Sequence, residues 1–294
     1  MKEKKVLVTG GNGYLGKFLV EELKKEGAQV FVIDKSILGK ENEFAVDITD
    51  ANEVEMLIKK IQPEIVFHLA ASLNRERNFD NFDLINKINH QGTFNLLNAL
   101  KDIPYDNFIF TSTSEIYGDN QAPFHEKQIP DPASPYSLTK IYAENLIRTF
   151  SKLNNKSYTI LRLFNFFGKG MPKQFFIPQM IDALQSKDSF DMTEGKQNRD
   201  FLYIEDVITG LLLCAQNKEV KNETYNLCSG KAVSLKELVV TIKEQLKSNC
   251  KINFGALPYR ENEVWNMLGD NSKIKKNLGF EIKYNLVDAI KKII

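Results

Sequence analysis

Residues 5–16 read KVLVTGGNGYLG, and this stretch decides the fold of the 294-residue chain. Its apolar run VLV at 6–8 predicts a short strand that is buried on both faces. A glycine-rich turn follows, and KFLVEELKKEG at 17–27 has the apolar spacing of a helix that ends at Gly27. The next predicted strand, QVFVID, ends at Asp34. This order of strand, turn, helix and strand is the first unit of a parallel sheet.

The glycine-rich turn has the pattern GxxGxxG, formed by Gly10, Gly13 and Gly16. Glycine allows a tight turn, a backbone that can approach a pyrophosphate, and close contact between helix and strand. Because the motif follows a strand, opens a helix and precedes an acidic strand end, it predicts dinucleotide binding. Asp34 is expected to bind the adenosine ribose and to repel a 2′-phosphate, which favours NAD over NADP. The neighbouring Lys35 weakens that preference.

Strands and helices continue to alternate after this first unit. Apolar runs at 44–47, 63–71 and 107–112 predict further buried strands, and residues 51–61 and 83–100 have helical spacing. The alternation predicts an α/β fold, a doubly wound parallel sheet that is Rossmann-like and has helices on both faces. In such a fold ligands bind at the carboxyl ends of the strands, so we expect the site at that edge.

The second half of the chain follows the first without a Pro- or Ser-rich linker, so we expect two interleaved units. Residues 1–168 are predicted to form an NAD-binding domain, to which residues 200–228 return. Residues 169–294 are predicted to form a smaller substrate-binding lobe, with an approximate boundary. Within it, residues 170–195 are expected to line the pocket for a nucleotide base, with three stacking candidates: Phe175, Phe176 and Gln179.

Composition and charge limit the classes of function. The net charge is +1, with 43% hydrophobic and 26% charged residues, so no overall basic excess indicates nucleic-acid binding. The three cysteines form no CxxC motif, and the histidines are not at metal-ligand spacing near them. We therefore expect reduced thiols, no metal site and a cytoplasmic location. The apolar runs are too short for a signal segment or a membrane span.

Residues 111–140 carry the candidate chemistry, beginning with TSTSEIYG and ending with SPYSLTK. They hold the hydroxyl of Thr113, the carboxylate of Glu115, the phenol of Tyr136 and the amine of Lys140. The last two are four residues apart and share a face if the segment is helical. An ammonium group near a phenol favours the phenolate and lowers a pKa that is ordinarily ~10. The pair therefore predicts a tyrosine that acts as a base.

With this stretch in view, the chain resembles the extended short-chain dehydrogenase/reductase family, the NAD-dependent nucleotide-sugar epimerases and dehydratases. The matching motifs occur in family order over nearly the whole length. They are TGGNGYLG, HLAA at 68–71, TSTSEIYG, SPYSLTK, LRLFNFFG at 161–168, QNRDFLYIED at 197–206 and PYRENEVW at 258–265. The resemblance implies that the substrate is a nucleotide-diphosphate sugar. It also implies a homodimer in which helices 83–100 and 135–152 pack against a second subunit.

The resemblance implies roles for individual side chains. Tyr136, as phenolate, removes the proton of a sugar hydroxyl while hydride passes to NAD. Lys140 holds the cofactor ribose and lowers the tyrosine pKa, and Thr113 hydrogen-bonds the reacting oxygen. Three residues are expected to bind the diphosphate region of the substrate: Asn165, Arg199 and Arg260. The predicted cofactor-binding residues are Gly10, Asn12, Gly13, Tyr14, Leu15, Gly16, Asp34, Lys35, Asp47, Ile48, Leu69, Ala70, Ala71, Asn89, Ser112, Tyr136 and Lys140.

Two residues between the glycine-rich turn and residues 111–140 have alternative interpretations. Asp47 is either a loop carboxylate or a contact to the adenine amino group. His68 is interpreted as a packed strand histidine rather than a catalytic one. The segment 72–81 is polar and lies where the fold would place a cover over the cofactor.

Ser114 and Glu115 distinguish the reactions of the family. A glutamate at position 115 suits removal of the proton next to a new ketone, which slightly favours a 4,6-dehydratase. Many dehydratases carry Asp just before this Glu, where this chain has Ser114, so a 4-epimerase remains the alternative. The next alternatives, in this order, are a 4-keto-sugar reductase and a sugar-acid decarboxylase. Outside the enzymes, an NAD-binding regulator without activity is disfavoured by the intact set of Thr113, Tyr136 and Lys140.

Overall fold

The computed structural model describes residues 1–217, 221–261 and 263–294. Residues 218–220, in the segment predicted to return to the first domain, and Asn262, in PYRENEVW, lie outside the described residues. The strands are β1 (Lys5–Thr9), β2 (Gln29–Asp34), β3 (Glu43–Ala45), β4 (Ile65–His68), β5 (Asn107–Thr113), β6 (Tyr158–Leu163), β7 (Asn165–Phe167), β8 (Ser189–Met192), β9 (Asn198–Tyr203), β10 (Glu223–Leu227), β11 (Ala232–Ser234), β12 (Lys251–Phe254) and β13 (Asn266–Met267).

The helices flank these strands in sequence order. They are α1 (Tyr14–Lys25), α2 (Ala51–Ile61), α3 (Phe82–Asn86), α4 (Gly92–Ala99), α5 (Pro135–Asn154), α6 (Phe176–Ser186), α7 (Ile204–Gln216), α8 (Leu235–Leu246), α9 (Ser272–Leu278) and α10 (Leu286–Lys291). Within the described residues, no helix is long and apolar enough to cross a membrane.

The main sheet has seven parallel strands in the order β10-β6-β5-β4-β1-β2-β3. The chain winds outward from β1 to β3 and then crosses to β4 on the other side of β1. The predicted doubly wound, Rossmann-like fold is therefore confirmed. Strand order reverses between β1 and β4, and a crevice for ligands forms at the carboxyl ends of strands at such a point.

The apolar run in β1 is explained by two hydrophobic cores, one on each face of the sheet. Val6 and Val8 pack into the core beneath α1 and α7, whereas Leu7 packs into the core beneath α2 and α4. All three side chains are fully buried. A strand covered on both faces needs apolar side chains at consecutive positions, which is why VLV shows no alternation.

A second group of elements surrounds a separate core beyond β6. A small sheet has the order β11-β9-β13, with β7 also pairing with β9, and β12 pairs with β8. Helices α6 and α8 contribute Met180, Leu238 and Ile242 to its core. Strand β10 then pairs with β6, so the chain returns to the main sheet. Ser234 caps α8 with a capping box, in which the Glu237 side chain accepts from the Ser234 backbone N–H.

The segment predicted as one helix over 83–100 is interrupted by a wider turn. Residues Lys87–Gln91 form a π-helical turn between α3 and α4. At its end, a Cβ on Gly92 would lie 2.7 Å from Ile48 side-chain atoms, so glycine allows the helix to approach the loop before α2. The turn also directs the buried Asn89 side chain toward Ser72. Such single-turn insertions in a helix re-aim side chains that the regular 3.6-residue period would not place together.

Candidate active site

A cavity of about 850 Å³ lies at the carboxyl ends of β1, β2, β4, β5 and β6. The glycine-rich turn forms one end of it and the residues of the predicted chemistry form the middle. Leu163, Phe164, Phe166 and residues 171–177 close the other side. The volume is in the range of small-molecule and cofactor sites. The cavity therefore joins the predicted cofactor cradle to the predicted reaction centre.

The glycine-rich turn is packed too closely for side chains. A Cβ on Gly16 would lie 2.2 Å from the Gly10 carbonyl oxygen, and a Cβ on Gly10 would lie 2.8 Å from the Ala70 nitrogen. Gly10 also has a φ of +71°, a conformation that favours glycine. Helix α1 starts after Gly13 without a side-chain cap, which leaves its first N–H groups available to an anion. The turn thus fits the pyrophosphate of a dinucleotide.

Asp34 is held at the edge of this cradle. Its Oδ2 accepts from the Asn12 N–H at 3.0 Å, and its Oδ1 accepts from the Ser36 N–H at 3.3 Å. Lys35 turns away to form an ion pair with Asp47, with Nζ 3.1 Å from Oδ2. A carboxylate fixed at the end of β2 suits the ribose hydroxyls of NAD.

The predicted cofactor-binding residues line the cavity, except for two. Asp47 accepts from the Thr49 N–H at 2.9 Å and pairs with Lys35, so its carboxylate belongs to a turn. Asn89 lies behind the cavity wall, where its side chain bonds Ser72 and the Thr139 hydroxyl. Neither Asp47 nor Asn89 is among the described residues that line the cavity. Their predicted contacts with the cofactor remain predictions.

His68 is the packed strand histidine that the sequence predicts. It is fully buried at the end of β4, with its Nδ1 2.7 Å from Thr9 Oγ1 and its Nε2 2.9 Å from Thr93 Oγ1. Burial, with the nearby Lys140 charge, lowers its pKa from 6.5 to about 3. The ring is therefore neutral at physiological pH and ties β4 to β1 and α4.

Tyr136 and Lys140 lie on the first turns of α5, as predicted, and both are buried. Helix α5 begins at Pro135 with Ser134 as its cap, and this start fixes the position of the tyrosine. Burial raises the pKa of Tyr136 to about 12, and the positive charge of Arg75 opposes that effect. Thr113, at the end of β5, also lines the cavity.

Lys140 has a different contact from the one that the sequence suggests. Its Nζ donates to the Thr111 carbonyl oxygen at 2.8 Å and lies 4.5 Å from the centre of the Phe110 ring. Burial lowers its pKa to about 7, against the opposing effect of Glu144. The lowering of the Tyr136 pKa by Lys140 therefore stays a prediction.

Ser114 and Glu115 begin a 3₁₀ turn directly after β5. The Ser114 hydroxyl is buried and donates weakly to Met267 Sδ at 3.5 Å. The Glu115 side chain reaches the cavity, where its Oε1 lies 3.0 Å from Arg75 Nε. Arg75 is a site residue that the sequence reasoning missed, because the polar segment 72–81 gave no period from which to orient its side chains.

The predicted substrate-binding residues lie in two places. Asn165 lines the cavity, and its Nδ2 is 3.4 Å from the Asp200 carbonyl oxygen. Arg199 lies outside the cavity lining, where it pairs with Glu263 and donates to the Val264 carbonyl oxygen at 2.6 Å. Burial lowers the Arg199 pKa, and the positive charge of Arg260 contributes to the same effect. The predicted contacts of Arg199 and Arg260 with the substrate diphosphate remain predictions.

Part of the segment that is expected to line the base pocket lies at the cavity. Phe175 and Phe176 line the cavity at the start of α6. Gln179 lies on the exposed side of the helix and donates to the Gln174 carbonyl oxygen at 3.1 Å. Of the three stacking candidates, the two aromatic rings are therefore placed at the cavity.

Comparison with known proteins finds a matching family model and relatives that are similar over nearly the whole chain. The sequence model of the NAD dependent epimerase/dehydratase family matches residues 6–228. GDP-6-deoxy-D-talose 4-dehydrogenase of Aggregatibacter actinomycetemcomitans is 28% identical over 97% of this chain and 95% of its own length.

Two solved structures have the same fold over nearly their full lengths. UDP-glucose 4-epimerase of Thermotoga maritima, with UDP-glucose, has a TM-score of 0.90 at 28% identity and covers 98% of this chain and 96% of its own. MoeE5, in complex with UDP-glucuronic acid and NAD, has a TM-score of 0.88 at 29% identity and covers 98% and 97%.

Proposed function

The chain belongs to the NAD-dependent epimerase/dehydratase family, with NAD as its cofactor, and on this premise we propose that it is a nucleotide-sugar 4-epimerase. It oxidises the C4 hydroxyl of a nucleotide sugar to a ketone, and the hydride then returns to the opposite face of the same carbon, which inverts the alcohol. The observation that carries this proposal is that the glycine-rich turn, Thr113 and Tyr136 all line the same cavity. The solved 4-epimerase with UDP-glucose shares the fold.

The side chains of the reaction centre divide the work between them. Tyr136 takes the proton of the sugar hydroxyl and later returns it, which requires its phenolate form. Thr113 donates a hydrogen bond to the reacting oxygen. NAD, when bound, accepts and returns the hydride. The carboxylate of Asp34 and the uncapped start of α1 hold the adenosine and pyrophosphate parts.

The contacts of Ser114 and Glu115 favour epimerisation over the 4,6-dehydration that the sequence slightly favours. Elimination requires a base for the proton beside the ketone and an acid for the departing hydroxyl. Glu115 has one oxygen engaged by Arg75, and the Ser114 hydroxyl is turned toward Met267. Each group thus has a competing partner inside the protein, whereas oxidation and reduction at one carbon use Thr113, Tyr136 and the bound cofactor.

A 4,6-dehydratase is the second candidate, because Glu115 does face the cavity. If the Arg75 contact opens when substrate binds, the carboxylate becomes available as a base. The two candidates make different products from the same substrates.

The deciding experiment is incubation of the NAD-loaded enzyme with a panel of nucleotide sugars, read by NMR. Inversion of the C4 alcohol supports the proposal, and a 4-keto-6-deoxy product supports the dehydratase. Tyr136→Phe should reduce turnover by about 10²- to 10⁴-fold. Glu115→Gln should spare an epimerase and abolish a dehydratase. Full-rate turnover by Tyr136→Phe would contradict both candidates.

We also propose that the protein is a homodimer. Helices α3, α4 and α5 pack together and expose apolar side chains, with Leu84 56%, Phe94 42% and Tyr142 38% exposed. These elements fall on the two segments that the family resemblance assigns to a subunit interface. A second copy of the chain is therefore the occupant that we infer for this face.

A further inference from the structure

Segment 72–81, expected only to cover the cofactor, brings a guanidinium group to the reaction centre. Arg75 Nε lies 3.0 Å from Glu115 Oε1, and Arg75 Cζ lies 5.6 Å from the centre of the Tyr136 ring. All three residues line the same cavity. The arrangement places a cation between the carboxylate that distinguishes the reactions and the phenol that they share.

We propose that Arg75 is a positioning residue of the reaction, the cation that stabilises the Tyr136 phenolate and holds Glu115 against the cavity wall. The inference rests on the proposed function, because it assigns Arg75 a task in that chemistry. A guanidinium within about 6 Å of an aromatic ring centre is attracted to the ring and favours a negative charge on its oxygen. The Arg75 charge lowers the Tyr136 pKa, in opposition to burial.

Arg75 suits this task because burial disfavours the charged form of Lys140 and lowers its pKa to about 7. A guanidinium group remains protonated throughout the pH range in which enzymes work. The positive charge of Arg75 beside the phenol therefore does not depend on the protonation of Lys140.

A purely structural role explains the Arg75–Glu115 pair less well. The Arg75 side chain is 48% exposed and that of Glu115 is 25% exposed. Ion pairs with such exposure contribute little to stability, because solvent screens them. Loss of Arg75 should thus alter the chemistry of Tyr136 much more than it alters folding.

The test is direct titration of the phenol at position 136 in the NAD-loaded enzyme. Replacement of Tyr136 by a difluorotyrosine gives one fluorine NMR signal and brings the phenol pKa into an accessible range. Arg75→Met should raise the apparent pKa of this phenol by about 1 or more, because a cation within ~4–6 Å is lost. Arg75→Lys should restore part of the difference, since it keeps the charge without the planar fork.

Glu115→Gln should shift the pKa of this phenol in the direction opposite to that of Arg75→Met. The Glu115 charge raises the Tyr136 pKa, so its removal should lower the apparent pKa of the same phenol. A general disturbance of the site would shift the phenol pKa in the same direction in both variants. Lys59→Met, which removes an exposed ion pair with Glu55 on α2, is the matched control and should leave the titration unchanged.

Coincident titration curves for the unsubstituted protein and Arg75→Met would overturn the inference. A rise of the phenol pKa in Glu115→Gln that equals the rise in Arg75→Met would also overturn it. The titration needs no sugar substrate, so it tests Arg75 even if no nucleotide sugar is turned over. Conversely, turnover of a nucleotide sugar with an unchanged phenol titration in Arg75→Met would contradict the inference and leave the proposed function intact.

Discussion

His68 illustrates how burial, together with a nearby positive charge, sets the charge of a residue. Both ring nitrogens are satisfied by threonine hydroxyls, and no solvent reaches the ring. Protonation would place an unpaired charge in the core, so the pKa falls from 6.5 to about 3. In the unfolded chain the same ring binds a proton at higher pH.

This difference in pKa predicts an acid-dependent loss of stability. As the pH falls from 6.5 toward 3, the unfolded state binds the His68 proton first, so the free energy of unfolding falls. The loss from this one group is about 1.4 kcal/mol per pH unit at most. Urea unfolding measured across that range should show a shallower dependence for His68→Gln than for the unsubstituted protein. The exposed His125→Gln is the control, and parallel curves for all three proteins would refute the prediction.

At the scale of the element, α5 carries its functional groups on a single face. Tyr136, Lys140, Glu144 and Arg148 recur every four residues, so they lie in one row along the helix. Glu144 is fully buried and accepts from Ser112 Oγ at 2.6 Å and from Arg162 Nη2 at 2.8 Å. The carboxylate thus joins α5 to β5 and β6, the two strands that bring Thr113 and Leu163 to the cavity.

Loss of the Glu144 charge should destabilise the fold strongly. Glu144→Gln leaves the buried Arg162 without its counter-ion, and an uncompensated buried charge costs about 3–5 kcal/mol. Chemical denaturation at neutral pH measures the change. The double variant with Arg162→Met should lose less stability than the sum of the single variants, because it removes both charges. Strict additivity would show that the two groups are not coupled.

At the scale of the whole molecule, the exposed apolar side chains of α3, α4 and α5 are unexplained by the monomer. Analytical ultracentrifugation should give the mass of two chains for the unsubstituted protein. Leu84→Asp combined with Phe94→Asp should give the mass of one chain, because two charges then face the apolar partner surface. Met56→Asp is the control, since Met56 is 67% exposed and lies on α2, outside the three helices of the proposed interface. A monomer without substitution would reject the proposed dimer.

The fold and much of the cofactor cradle could be predicted from the sequence, because local patterns carry them. Consecutive apolar residues in β1 reflect a strand covered on both faces, and the glycines reflect close backbone approaches at Gly10 and Gly16. Such features depend on neighbours in the chain or on the sheet that those neighbours form. Tyr136 and Lys140 were placed on one helix face by their spacing alone.

The partners of the site side chains were decided by the tertiary structure. Arg75 meets Glu115 and Tyr136 although 40 and 61 residues separate it from them in the sequence. Its segment has no periodicity that fixes where a side chain points, and Lys140 turns to the Thr111 carbonyl because that strand end lies beside it. The sequence by itself determined the sheet, the glycine-rich cradle and the tyrosine proposed as the base. Only the fold determined which charge stands beside that tyrosine, because contacts between distant segments depend on packing rather than on spacing.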